Sequence, residues 1–69
     1  MDRIKVKSSN LISVGYDEEN EILEIEFDSG IYQYYKVPLK VYEGLMDAIS
    51  LGTYLNKYVK GVYKYKQIR

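Results

Sequence analysis

Nine of the 69 residues are tyrosine, and seven of the nine gather in two places. Tyr32, Tyr34 and Tyr35 share the segment Ile31-Tyr32-Gln33-Tyr34-Tyr35-Lys36-Val37-Pro38. Tyr54, Tyr58, Tyr63 and Tyr65 are interleaved with Lys57, Lys60, Lys64, Lys66 and Arg69. A phenol offers an apolar face for stacking and a polar tip for hydrogen bonding. Rings that stack on bases, set beside cations that meet phosphates, are the chemistry of single-stranded nucleic-acid contact. The candidate stacking rings are Tyr32, Tyr34, Tyr63 and Tyr65, and the candidate phosphate contacts are Lys57, Lys60, Lys64, Lys66 and Arg69. On a strand, Tyr63 and Tyr65 share one face and Lys64 and Lys66 the other, which separates stacking from phosphate contact.

Each assignment has a plainer counterpart. Tyr32 and Tyr34 project from one strand face, as an open two-ring platform or as the cover of a core. The competing face holds Ile31, Gln33, Tyr35 and Val37, and Gln33 weighs against it as the deep side. The basic tail can meet an anionic partner or face an acidic strand edge of its own chain. Tyrosine is also enriched at protein interfaces, so a protein-interaction module or a small homodimer using the same rings is the alternative function. Ionic strength separates the two, because nucleic-acid affinity falls steeply with salt.

Other chemistries have little to work with. Histidine and cysteine are both absent, which removes the usual general base, the thiol nucleophile, disulfides and Cys/His zinc sites. Glu24 and Glu26 stand at strand alternation and could act as paired carboxylates or hold a hard cation. Solvation of a polar strand face explains them as well. Neither common glycine-rich phosphate loop occurs. The expectation is a non-enzymatic domain with no metal and no small-molecule cofactor.

Net charge is zero but unevenly spread. Residues 1–37 carry four cations against eight acids, and residues 38–69 carry six against two. Such polarity suits an anionic partner at one end. A chain of this size forms one domain with a modest core. No leader or membrane-length apolar run is seen, so cytoplasm is the expected location, without membrane contact.

The elements that must position these residues follow from periodicity. Residues 1–8 read as a loose arm or a short strand. Leu11–Tyr16, Ile22–Phe27 and Ile31–Val37 read as strands joined by the polar turns Asp17-Glu18-Glu19-Asn20 and Asp28-Ser29-Gly30. Leu23, Ile25 and Phe27 face one way, Glu24 and Glu26 the other. At Pro38 the period changes, and Leu39, Tyr42, Leu45, Met46 and Ile49 recur at helical spacing. Gly44 weakens that helix and allows a close approach. Ser50 caps a second helix over Leu51 to about Val59, and Gly61 stops it. Val62–Ile68 alternates, as an edge strand or an extended tail. The sum is an α+β domain: a three-stranded antiparallel meander, two short helices (β-β-β-α-α), and an extended tail.

Short motifs run along the chain: Ser9-Asn10, Val14-Gly15-Tyr16, Tyr32-Gln33-Tyr34, Val37-Pro38 and Tyr42, then Gly52, Tyr54, Asn56, Gly61 and Tyr63-Lys64-Tyr65. Their order, from Ser8 to about Ile68, resembles the KTSC domain, a small family found at the C-terminus of some lysyl-tRNA synthetases and as free-standing bacterial proteins. Tyr32-Gln33-Tyr34 stands in the place of the family's YxY motif. The resemblance implies one domain over residues 1–69, without a synthetase catalytic unit. RNA binding, suggested for the family, is the function it implies.

Overall fold

The computed structural model describes residues 1–69. Its elements are β1 (Ile4–Lys5), β2 (Leu11–Asp17), β3 (Ile22–Phe27), β4 (Gly30–Tyr34), α1 (Leu39–Asp47), α2 (Leu51–Tyr58) and β5 (Tyr65–Gln67). The strands form one antiparallel sheet in the order β1-β2-β3-β4-β5, with the helices inserted before the last strand.

Five strands, four of them ahead of the helices, replace the expected three. Ile4 and Lys5 pair with Val14 and Ser13. Of the two alternatives for residues 1–8, the short strand forms, but over these two residues alone. The tail does add an edge strand, but only Tyr65–Gln67 enters the ladder, opposite Tyr32–Tyr34. β4 ends at Tyr34 rather than Val37: Lys36 takes a positive φ of 59°, and the Val37 N–H donates to the Glu21 carbonyl at 2.9 Å.

One face of the sheet packs under the helices. Leu11, Val14, Leu23, Ile25, Tyr34, Val37, Leu45, Leu55 and Val59 form the buried core. Simple alternation puts Leu11 and Val14 on opposite faces. A register shift between Leu11 and Ser13 brings both into the core and leaves Ile12 exposed. α1 starts after Pro38 and closes with the Ala48 N–H donating to the Leu45 carbonyl at 3.2 Å. Ala48 is then extended and Ile49 is fully exposed, so Ile49 does not join the apolar stripe expected of it. Ser50 caps α2, its hydroxyl accepting from the Thr53 N–H at 3.3 Å. The approach that Gly44 permits is made by the Tyr54 ring, whose Cζ would lie 2.8 Å from a Cβ at that position. Tyr16 stacks on Tyr42 at 4.7 Å and donates its hydroxyl to the Val37 carbonyl at 2.6 Å, tying β2 to α1 and the loop before it.

The opposite face is polar yet covered. Residues 1–3 cross it above Gly15, where an added Cβ would meet the Asp2 carbonyl at 2.7 Å. Arg3 donates from Nη1 to Glu24 Oε2 at 2.5 Å and from Nε to Ser13 Oγ at 3.0 Å. Gln33 donates to Glu24 Oε1 at 2.8 Å, and Ser13 donates to Glu26 at 2.7 Å. Glu24 is only 4% exposed, so the solvated-face expectation fails for it. Desolvation pushes its carboxyl up, but the hydrogen bonds from Gln33 and Arg3 and the Arg3 charge outweigh this and hold it below its ordinary value.

Candidate nucleic-acid interface

Strand register decides where the tyrosines go. Tyr32 lies opposite Ile25 on β3 and Gln67 on β5, while Tyr34 lies opposite Leu23 and Tyr65. Cross-strand partners share a face, so Tyr32, Tyr34 and Tyr65 are on the helix side of the sheet. Tyr34 is buried at 3% exposure, Tyr32 is half-buried and Tyr65 is exposed at 61%. The open two-ring platform is therefore not formed. Tyr34 joins the core, and Tyr32 packs partly against it.

What forms instead is a cleft of about 390 Å³ on the helix side of the sheet. Tyr32, Tyr34 and Tyr65 line it with Phe27, Ser29, Lys60 and Gly61. The Tyr65 ring lies 5.9 Å from Tyr32 and 5.6 Å from Tyr34, and Phe27 meets Tyr32 edge-on at 5.5 Å. Lys60 Nζ stands 4.9 Å from the centre of the Phe27 ring, a cation–π arrangement that holds the ammonium at the cleft. The chain turns there at Gly61, whose φ of 78° suits glycine. Burial first, then the neighbouring Tyr65 and Tyr32, pushes the Tyr34 phenol above its ordinary pKa.

The structure thus brings Tyr32, Tyr34, Lys60 and Tyr65 together. It does not bring the rest to the same place. Lys57 lies on α2, 5.3 Å over the Tyr58 ring and beside Tyr54. Tyr63 precedes β5 and packs against the core, so it does not share an open strand face with Tyr65 as expected. Lys66 pairs with Gln33 and points to the polar face. Lys64 is exposed, and its carbonyl accepts from the Tyr35 N–H at 2.9 Å. Arg69 is held by its backbone, its carbonyl accepting from the Ile31 N–H at 2.9 Å. The one ion pair in the molecule is Arg3–Glu24, so no tail cation pairs directly with the acidic half.

Phe27, Ser29 and Gly61 escaped the sequence reading as site residues. A signal existed for Phe27: it ends the apolar face of its strand beside a turn, and its cross-strand partner is Gly30, which has no side chain to cover the ring.

Residues 7–65 match the family model of the KTSC domain. This chain belongs to the KTSC domain family. This KTSC domain is 46% identical to an uncharacterised protein of Stutzerimonas stutzeri, over 99% of both chains. It is 44% identical to a lysine–tRNA ligase of Nostoc sp., covering 94% of this chain but 12% of the ligase. The crystal structure of a KTSC domain protein from Yersinia pestis superposes with a TM-score of 0.96 at 38% identity, over 99% of this chain and 97% of that one. The five-stranded α+β architecture is thus that of the family. No helix is long and apolar enough to cross a membrane.

Proposed function

We propose that this KTSC domain is a non-enzymatic, cytoplasmic RNA-binding module. The observation that carries this reading is the convergence of Tyr32, Tyr34 and Tyr65 with Lys60 on one cleft. The exposed Tyr65 and half-buried Tyr32 supply stacking that tolerates any base, and Lys60 supplies phosphate contact. The exposed Lys64 and Arg69 extend positive charge along the same end of the chain, without acidic partners. A lysine–tRNA ligase carries a related segment, which makes tRNA the first RNA to try.

The second reading is a protein-interaction module. It is favoured by the exposed apolar side chains of Ile49, Val62 and Ile68, and by the open edge of β5.

The test is an amide-shift titration of the full chain with tRNA and with a short single-stranded RNA at low and moderate salt. Salt-sensitive shifts around Tyr32–Tyr34 and Lys60–Tyr65 support RNA binding. No shift with either RNA, together with a concentration-dependent dimer, moves the interaction reading first.

A further inference from the structure

We infer that the aromatic cleft takes up a single unstacked nucleobase of an RNA strand, with its phosphate on Lys60 and its polar edge on the Tyr34 hydroxyl. This rests on the RNA-binding reading above and narrows it to one nucleotide in one place.

The lining chooses the ligand. No aliphatic side chain lines the cleft: its apolar walls are Phe27, Tyr32, Tyr34 and Tyr65. Aromatic walls suit a planar ring more than a branched aliphatic group. The volume, about 390 Å³, falls in the range of small-ligand sites. A base that is paired and stacked in a duplex cannot enter such a recess, so the occupant is single-stranded or flipped out.

The Tyr34 hydroxyl supplies the second argument. It makes no hydrogen bond within the protein, although Tyr34 is 3% exposed. No side-chain polar atom is fully buried without a partner, so the slight exposure Tyr34 keeps includes its hydroxyl. A donor and acceptor on an otherwise buried ring, lining the cleft, is placed to meet a base edge. Lys60 is the only charged side chain of the lining, so the favoured ligand is anionic.

The test uses the full chain with three probes: uridine 5′-monophosphate, ribose 5-phosphate and a short oligouridylate. Uridine monophosphate and the oligomer are expected to shift the amides of Phe27, Ser29, Tyr32, Tyr34 and Gly61. Ribose 5-phosphate, which lacks the base, leaves all but Gly61 in place. Tyr65→Ala is expected to weaken the oligomer about tenfold, in line with the loss of one base–ring stack. Tyr34→Phe keeps the ring and its packing, so the melting temperature holds while oligomer affinity falls. Should Tyr34→Phe fold poorly, Tyr65→Ala decides alone, because Tyr65 is an exposed residue of the edge strand. If the oligomer binds but these amides stay still and Tyr65→Ala changes nothing, the cleft inference is overturned and the RNA reading stands. If the free nucleotide binds and the oligomer does not, the strand assignment is overturned. If no RNA binds at all, both readings fall together.

Discussion

Tyr34 and Tyr65 face one another across β4 and β5, in register, with ring centres 5.6 Å apart. One is core and the other is surface, so the pair joins the packed interior to the open cleft. The helices that intervene in sequence deliver Lys60 and Gly61 to the same spot. This geometry assigns unequal roles to cations that look equivalent along the chain.

Lys60→Glu is expected to weaken RNA binding more than Lys66→Glu, because Lys66 sits across from Gln33 on the far face. Loss of one phosphate contact should also flatten the log–log salt dependence by about 0.7 for a single strand. Affinity measured over a salt series checks both. Equal effects from the two variants would remove the cleft from the binding surface.

The polar face should be acid-sensitive. Glu24 has a folded pKa below its ordinary value. Its network therefore adds stability that is fully present above the unfolded pKa, about 4.3 for glutamate, and is lost as pH falls through the folded value. Arg3→Ala leaves a nearly buried carboxylate with fewer donors and is expected to cost about 1–3 kcal/mol near neutral pH. Urea midpoints against pH should show the Arg3 variant losing less on the acid side than the parent chain.

Gly15→Ala should lift the N-terminal segment off the sheet. The new Cβ would meet the Asp2 carbonyl at 2.7 Å, Arg3 Cγ at 3.0 Å and Met1 Sδ at 3.3 Å. Overpacking of this kind costs about 1–3 kcal/mol. Amide exchange at Ile4 and Lys5 should quicken, while Leu23 and Ile25 in the sheet centre stay protected.

Three phenols should ionise late. Burial first raises the phenol pKa of Tyr16, Tyr34 and Tyr54; nearby acids add to this for Tyr16, and other tyrosines for Tyr34 and Tyr54. For a phenol held in its neutral form, stability is intact below the unfolded pKa, about 10, and declines as pH rises past it. A tyrosinate absorbance titration should show a late component, and Tyr34→Phe should remove part of it.

Tyr16→Phe deletes the bond to the Val37 carbonyl while keeping the stack on Tyr42. The expected cost is about 1 kcal/mol or somewhat more, since the carbonyl loses a partner in a part-buried site. Chemical denaturation of the variant reads it directly.

Local pattern was enough for much of this molecule. The alternation of Leu23, Ile25 and Phe27 with Glu24 and Glu26 defined the central strand and its buried side. The helical spacing of Leu39, Tyr42, Leu45 and Met46 defined α1, and Ser50 marked the start of α2. The ordered tyrosine, glycine and proline positions identified the family. These are properties of neighbouring residues, and the chain expresses them wherever it folds.

Contacts between distant segments decided the rest. The strand Ile4–Lys5 exists because β2 pairs with it, and Leu11 faces the core because a bulge resets the phase. Glu24 reads as a solvated acid until Arg3 and Gln33 close over it. Which of nine tyrosines line a cleft depended on the register between β4 and β5, since a one-residue slip would reverse every face. Register is set by the whole packed sheet, and that is why composition named the rings while only tertiary structure assembled them.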